Sequence, residues 1–482
     1  MDINITKELT RFQEHIEISG NSRILFSGIF GIGKTYFLKE FFKNNNSYEC
    51  VILRPVNYSI ASNKDIIDYI KYDIIFELFG KNIEFEKTDI SKYLSAQYYV
   101  KDNFIKTAST IAKMAGQIGK PIVNILDGLQ ELNENIENHN QEVQIDQKKE
   151  TTDFLNKIKE KDGSIYEENN ITELISSLVH SLKVSEDEDS AKKETVLIID
   201  DLDRLDPEHI FRILNVFACH FDLDSSDENK FGFDKVIVVG DSENIRNIFQ
   251  AKYGIDTDFN GYIDKFYSSE IYKFDNKSCL YSYLPSYLSK LQTERSLYLS
   301  NSQLVHSILI YEIFKGLINY DLFNLRTLKT SLENNHHFES IIFKAGNDEF
   351  KRLSSHNIVM IPLFRLLISI YGSETTLKTT LYRLSNRIPS QILDNTNILE
   401  PILCLIDYKK HKGKEEKYSY INSNLNLKIN YSIESGNSNQ INLIIDKMYY
   451  LDKPNKELIS FPFAPFLYLS FQEFLNLEKL NF

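Results

Sequence analysis

Gly28-Ile29-Phe30-Gly31-Ile32-Gly33-Lys34-Thr35 fits the pattern G-x-x-x-x-G-K-[ST]. At this spacing the glycines let a turn wrap closely, so that consecutive backbone N–H groups point inward at a phosphate. The helix that follows presents its positive end to the same anion. Lys34 has the reach to meet β- and γ-phosphates, and the Thr35 hydroxyl suits a Mg²⁺ ligand. Gly28, Gly31, Ile32, Gly33, Lys34, Thr35 and Tyr36 are the expected phosphate-binding set. A second constellation is Val196-Leu197-Ile198-Ile199-Asp200-Asp201. Four apolar residues bury a strand and leave two acids at its carboxyl end, where open α/β sheets bind ligands. A phosphate loop needs a metal-positioning acid on a neighbouring strand. Asp200 is expected to hold Mg²⁺ through its water shell, beside Thr35, and Asp201 to orient or deprotonate the attacking water. Lys34, Asp200 and Asp201 are thus the expected catalytic core. Lys235-Val-Ile-Val-Val-Gly-Asp241 also ends in an acid. Asp241 can sense a γ-phosphate or cap the next helix, since Asp-Ser-Glu suits a helix start, and one residue can do both.

These groups require a scaffold of alternating strands and helices. Residues 5–18 read as a short amphipathic helix, 23–28 as a buried strand, and 35–43 as a helix. VILRPV (51–56) reads as a second strand. In the amphipathic helix 64–79, Ile66, Ile67, Ile70, Ile74, Ile75 and Leu78 share one side. The alternation breaks over 80–185. Lys106, Lys113 and Lys120 recur along one helix face before Pro121, and residues 129–170 are polar and rich in Asn, Glu and Lys. A helix over 171–184 and a charged loop over 185–194 lead back to the α/β pattern. Asp206 and Pro207 are the expected N-cap and first-turn proline of the next helix. Residues 278–395 read mainly as helices, and the last ninety or so residues show no clear pattern. The fold class expected is α/β: a doubly wound parallel sheet with a helical insertion and a mostly helical C-terminal half. The expected division is 1–80 with 171–276 as the core, 81–170 as insertion, 277–395 as a helical lid and 396–482 as a mixed region.

The 482 residues carry 55 Lys+Arg against 68 Asp+Glu, a net charge of -13, which argues against wholesale wrapping of nucleic acid. A local basic groove stays compatible with that balance. The 32 Phe and 28 Tyr, against 18 Gly and 10 Pro, favour long helices in packed cores. Cys50, Cys219, Cys279 and Cys404 form no C-x-x-C pair, so neither a disulfide framework nor a zinc ribbon is expected. MDINITKELTRFQEH has no apolar signal core, and no run reaches the length of a spanning helix. Leu458–Gln472 comes nearest, but Pro462 and Pro465 interrupt it, and it reads as a buried segment. A cytoplasmic protein without integral membrane contact is expected. His336-His337 lies in an Asn-rich turn without nearby cysteines and reads as a surface pair. Asn276-Lys277-Ser278-Cys279 has cysteine where a guanine-reading N-K-x-D needs its carboxylate, which favours ATP over GTP. No ABC-type signature and no nucleophilic serine or cysteine motif is visible.

Taken in order, these segments resemble the KAP family of P-loop NTPases, relatives of the AAA+ and STAND groups. GIFGIGKT stands as its Walker A segment and VLIIDDLDRLDPEHI as its extended Walker B. KVIVVGDSENIRNIFQAKYG resembles the following strand, acid and helix, and GYIDKFY (261–267) the Tyr-Leu-Glu-Lys segment, with Asp264 for glutamate. Asn324-Leu325-Arg326-Thr327-Leu328-Lys329 resembles the lid motif Asn-Pro-Arg-x-x-Lys without its proline. The likeness covers 5–80 and 170–335. It implies an NTPase core with an insertion that carries membrane helices in many members; here 80–170 lacks a spanning run. It implies that Arg326 reaches the γ-phosphate from a lid. Asp203 and Arg204 are expected to pair within the core or act across a subunit boundary, and Lys265 or Arg246 to be given in trans.

The function expected is a Mg²⁺-dependent ATPase acting as a nucleotide-driven switch. KAP-like ATPases occur in bacterial antiviral modules, which implies a homo-oligomeric sensor or regulator in phage defence with a separate effector from a neighbouring gene. The alternatives are a low-turnover ATP-binding scaffold and a peripheral membrane organiser using the lysine face near 106–120. Nucleic acid as a partner is left open.

Overall fold

Strands that are apolar along their whole length must be covered on both faces, and that dictates the architecture. The computed structural model describes residues 4–58, 66–79, 81, 170–183, 193–218, 231–290, 304–334, 342–343, 353–354, 360–387, 392–393, 396–407, 417–435, 441–458 and 460–479. Lys106, Lys113, Lys120 and Pro121, the polar stretch 129–169 and His336-His337 lie outside the described residues. Two compact units divide the chain, one of Thr6–Asp275 and one of Asn276–Phe482 together with Met1–Ile5.

The first unit runs α1 (Thr6–Ile16), β1 (Arg23–Ser27), α2 (Lys34–Lys43), β2 (Tyr48–Leu53), α3 (Ile66–Phe79), α4 (Asn170–Lys183), β3 (Glu194–Ile199), α5 (Pro207–Ala218), β4 (Lys235–Gly240), α6 (Ser242–Tyr253), α7 (Phe259–Ile263) and β5 (Tyr272–Lys273). Its five strands form one sheet in the order β2-β3-β4-β1-β5, and every neighbouring pair is parallel. β4 lies between β1 and β3, so the acid-bearing strand is not the direct neighbour of the phosphate-loop strand. Apolar runs mark a strand as buried without encoding which strand sits beside it. In register, Ser27 pairs with Gly240, Val238 with Ile199, and Ile199 with Leu53, which gathers the strands' carboxyl ends at one edge. Parallel strands send every such loop to the same edge, where ligands bind in open sheets.

The faces differ because side chains alternate along each strand. Leu25, Val51, Leu197 and Val236 face the aliphatic layer of α3, α4 and α5, where Ile70, Ile74, Leu178, Ile213 and Leu214 are fully buried. All six apolar residues expected on one side of α3 are buried there. Phe26 points the other way, into an aromatic nest supplied by α1, α2 and β5. The Phe12 ring lies 5.3 Å from Phe26, 4.7 Å from Phe41 and 5.0 Å from Tyr272. Burying each such ring contributes about 2 kcal/mol. Helices on both faces make the sheet doubly wound. β2 occupies Tyr48–Leu53 rather than 51–56, because its ladder with β3 begins at Tyr48↔Glu194. It stops before Pro55, which has no N–H to donate and opens a short 3₁₀ turn.

The second unit combines helices with a four-stranded antiparallel meander built from 417–422, 427–435, 441–450 and 453–457. Its core includes Tyr287, Phe314, Phe323, Phe364 and Phe471. Tyr431 donates to the Asp407 carboxylate at 2.7 Å inside that core. The segment near 458–472 supplies the helix Phe463–Lys479, with Phe466, Leu467 and Phe471 buried. Among the described residues no helix is long and apolar enough to cross a membrane.

Candidate nucleotide site

The loop 28–33 leaves the end of β1 and turns into α2. Gly31 and Gly33 adopt φ of 80° and 100°, a region where an L side chain is strained, so the turn needs glycine at both positions. Gly33 caps α2 without any side-chain hydrogen bond, and its first-turn N–H groups carry the helix's positive end. The Gly28 N–H donates to the Gly240 carbonyl at 3.1 Å and continues the β1–β4 ladder into the loop. Lys34 is buried at 7% exposure, and its Nζ donates to the carbonyls of Gly28 at 2.6 Å and Ile29 at 3.3 Å. The cation is therefore held inside the curve of the loop. Ile32 is buried and Tyr36 is exposed, with 56% of its surface open.

Asp200 follows β3 directly and is 3% exposed. Its backbone N–H donates to the Leu53 carbonyl at 3.0 Å, which extends the β2–β3 pairing by one step. Thr35 Oγ1 donates to Asp200 Oδ2 at 2.7 Å, and the Asp201 N–H donates to Oδ1 at 2.9 Å. Burial pushes the Asp200 carboxyl above the usual carboxylate range. The Thr35 hydrogen bond pulls the other way, the Asp201 charge adds to the rise, and the Asp201 N–H and Arg54 oppose it.

Asp201 sits at φ 56°, ψ 36°, in the left-handed region. Its Oδ2 pairs with Arg204 Nη1 at 2.9 Å. Asp203, 9% exposed, accepts from the Asn244 side chain at 3.4 Å. Asp241 caps α6: its Oδ1 accepts from the N–H groups of Glu243 at 3.0 Å and Asn244 at 3.4 Å. That is one of the two roles the sequence allowed. Asp206 likewise accepts from the Glu208 N–H at 2.9 Å at the start of α5.

The structure thus brings the loop 28–35, Asp200, Asp201 and Asp241 to one edge of one sheet. Arg326 is exposed in the first turn of the helix Leu325–Glu333 in the second unit. Asn324 caps that helix by accepting from the Thr327 N–H at 3.1 Å. Leu325 occupies the first helical position, where a proline would also fit, so the helix begins without the proline of the lid motif. Arg246 donates to Asn260 at 3.1 Å and lies 5.3 Å from the Phe259 ring. The Lys265 side chain is exposed.

Several participants are not marked by the sequence motifs. Ser27 Oγ donates to Ser242 Oγ at 2.8 Å and accepts from the Ser242 N–H at 3.0 Å, tying the end of β1 to the start of α6. Arg54 acts on Asp200 from the end of β2, and Phe30 meets the guanidinium of the expected residue Arg204 at 5.7 Å from its ring centroid. The only signal for them was their place at a strand's carboxyl end or in the loop itself.

A hydroxyl and a buried carboxylate are hard oxygen donors, a set that fits Mg²⁺ with its remaining positions filled by water and phosphate. Among the described residues no group of three or more His, Cys, Asp or Glu is placed to hold a metal by itself. A buried lysine in a loop capped by bare N–H groups fits a polyphosphate.

The model of the KAP family P-loop domain matches residues 5–342. No curated protein and no solved structure matched the chain.

Proposed function

The chain belongs to the KAP family of P-loop domains, and from that premise we propose that it is a Mg²⁺-dependent ATPase whose turnover drives a conformational switch. The observation that carries this reading is the 2.7 Å contact between Thr35 and Asp200, which draws a phosphate-loop hydroxyl and a buried acid to one point. In this proposal the loop amides and Lys34 hold the β- and γ-phosphates, and Thr35 with Asp200 holds the metal. Bound Mg²⁺ supplies charge to offset that of the phosphates. Asp201 orients a water and accepts its proton. The water oxygen bonds to the γ-phosphorus as the bond to the β–γ bridging oxygen breaks, and ADP leaves with the electron pair. Asp241, at the end of the strand between β1 and β3, is proposed to sense the γ-phosphate while it caps α6. Arg326 is proposed to report nucleotide state from the helix Leu325–Glu333. Cysteine at position 279, where a guanine-binding carboxylate would stand, supports ATP over GTP.

The biological reading is a homo-oligomeric regulator or sensor in antiviral defence, acting on an effector encoded nearby. It rests on family likeness alone. Phosphate release from Mg·ATP by the full chain and by Lys34→Ala tests the chemistry, and particle mass with and without a slowly hydrolysed analogue tests the switch. Plaque counts after expression with the neighbouring genes test the defence role; counts unchanged across a broad phage panel contradict it.

A further inference from the structure

Asp201 is one of three non-glycine residues in the left-handed region among the described residues. Such a backbone persists only where its surroundings hold it. Here its N–H donates to Asp200 Oδ1 at 2.9 Å, its carbonyl accepts from the Arg204 N–H at 3.2 Å, and its side chain adds a third tie. Oδ2 is taken by Arg204 at 2.9 Å, while Oδ1 has no donor among the described residues. Arg204 does not stop there. Its guanidinium lies 5.7 Å from the ring of Phe30, near the tip of the phosphate loop. One side chain therefore spans from the turn after β3 to the loop after β1, past the intervening strand β4.

Stability gives a poor reason for this arrangement. The Arg204 and Asp201 side chains are 45% and 31% exposed, and ion pairs so open to solvent contribute little. Phe30 is half exposed, at 50%, so the ring is not spent on filling a core. What the contacts do fix is direction. A carboxylate with one oxygen anchored by a planar guanidinium has lost its free rotation, and its second oxygen is left as the acceptor. The inner tie from Thr35 to Asp200 and this outer tie from Phe30 through Arg204 to Asp201 join the same two loops at two points.

We propose that Arg204 is a positioning residue: it sets the Asp201 carboxylate for the attacking water and locks that setting to the phosphate loop through Phe30. This rests on the reading of Asp201 given above.

The test compares the full-length chain with Arg204→Ala, Arg204→Lys, Phe30→Leu and Asp201→Asn. It measures kcat and KM for Mg·ATP, thermal melting, and hydrogen exchange. Arg204→Ala is expected to lower kcat by about 10–100-fold with KM within about threefold, since orientation is lost and phosphate binding is not. Arg204→Lys should recover much of that loss, as its ammonium can still reach Asp201. Adding Arg204→Ala to Asp201→Asn should cost little more, because the two act as a unit. In hydrogen exchange, which needs no turnover, Arg204→Ala and Phe30→Leu should each raise exchange at amides 29–33, and Arg204→Ala also at 201–205. A kcat within twofold of the parent overturns the proposal. So does a tenfold rise in KM at unchanged kcat, which would make Arg204 a phosphate contact, or exchange that rises only at 201–205. Wild-type turnover by Asp201→Asn would instead remove the reading of Asp201, a separate failure.

Discussion

Thr35 Oγ1 donates to Asp200 Oδ2 at 2.7 Å, across 165 residues of sequence. The contact follows from the order of the sheet: β1 and β3 flank β4, and their carboxyl ends project the loop and the acid toward each other. If the pair holds a metal, a variant that keeps the hydroxyl should keep Mg²⁺ dependence. Thr35→Ser is expected to bind Mg·ATP like the parent, while Thr35→Ala and Asp200→Asn lose about 10–100-fold of the Mg²⁺-dependent part of the affinity. Calorimetric titration with and without Mg²⁺ measures this. Equal losses with and without the metal would show that the pair merely braces the loop.

Burial raises the Asp200 carboxyl above its ordinary range, and at the proposed metal site a proton on that carboxyl would compete with Mg²⁺. The sign follows. As pH falls, protonation reaches Asp200 sooner than it would an exposed aspartate, so Mg²⁺-dependent nucleotide binding weakens toward acid pH. ATP itself also titrates, so the diagnostic quantity is the share of the pH dependence that disappears in Asp200→Asn. Identical pH profiles for parent and variant contradict the assignment.

Gly33 at φ 100°, ψ 23° turns the chain into α2. Gly33→Ala puts a Cβ into a strained region and should cost about 1 kcal/mol or more. The strain falls on the amides expected to meet phosphate, so nucleotide affinity should drop at least tenfold while the melting temperature moves by only a few degrees. A variant with unchanged affinity would mean that the loop amides do not bind phosphate.

Asp73 on α3 makes a different kind of prediction. Burial, with the Glu77 charge adding to it and Arg54 opposing, pushes its carboxyl up to about 7. Glu77 is itself raised by burial. The native state then keeps a proton over a range where the unfolded chain has lost it, so stability falls as pH rises from the ordinary aspartate range through about 7. Asp73→Asn removes the titration. Its melting temperature relative to the parent should be several degrees more favourable at pH 8 than at pH 5. A constant difference at both pH values contradicts the buried-acid reading of α3.

The local parts of the site were legible because their signals are local. A buried run ending in a glycine-rich turn marks β1 and its loop, and Val196–Asp201 shows both an apolar strand and its terminal acids. Strand order is not local, so nothing in the residues announced that β4 separates β1 from β3. The start of β2 was hidden because Tyr48-Glu49-Cys50 lacks an apolar run, and its pairing with β3 supplies what the side chains do not. In the meander the alternation was present but diluted. Leu427, Ile429 and Tyr431 are buried while Lys428, Asn430 and Ser432 between them are not, and the short flanking strands rich in Lys, Asn and Tyr hide the period. Asp241 allowed two roles from sequence, and in the folded chain it accepts from the N–H groups of Glu243 and Asn244 as a helix cap. The reach of Arg204 to Phe30 depends on strand order and on a left-handed turn, neither of which a linear pattern reveals.

The Lys34 ammonium, drawn into the loop onto the carbonyls of Gly28 and Ile29, is the charge on which the phosphate-binding claim rests. The most direct measurement is the affinity of the full-length chain and of Lys34→Ala for Mg·ATP, with circular dichroism to verify that both are folded. The expected result is binding by the parent and a loss of at least about 100-fold in the variant, the scale of removing a charge-assisted contact to phosphate. Equal affinity of the two folded proteins for Mg·ATP would contradict it.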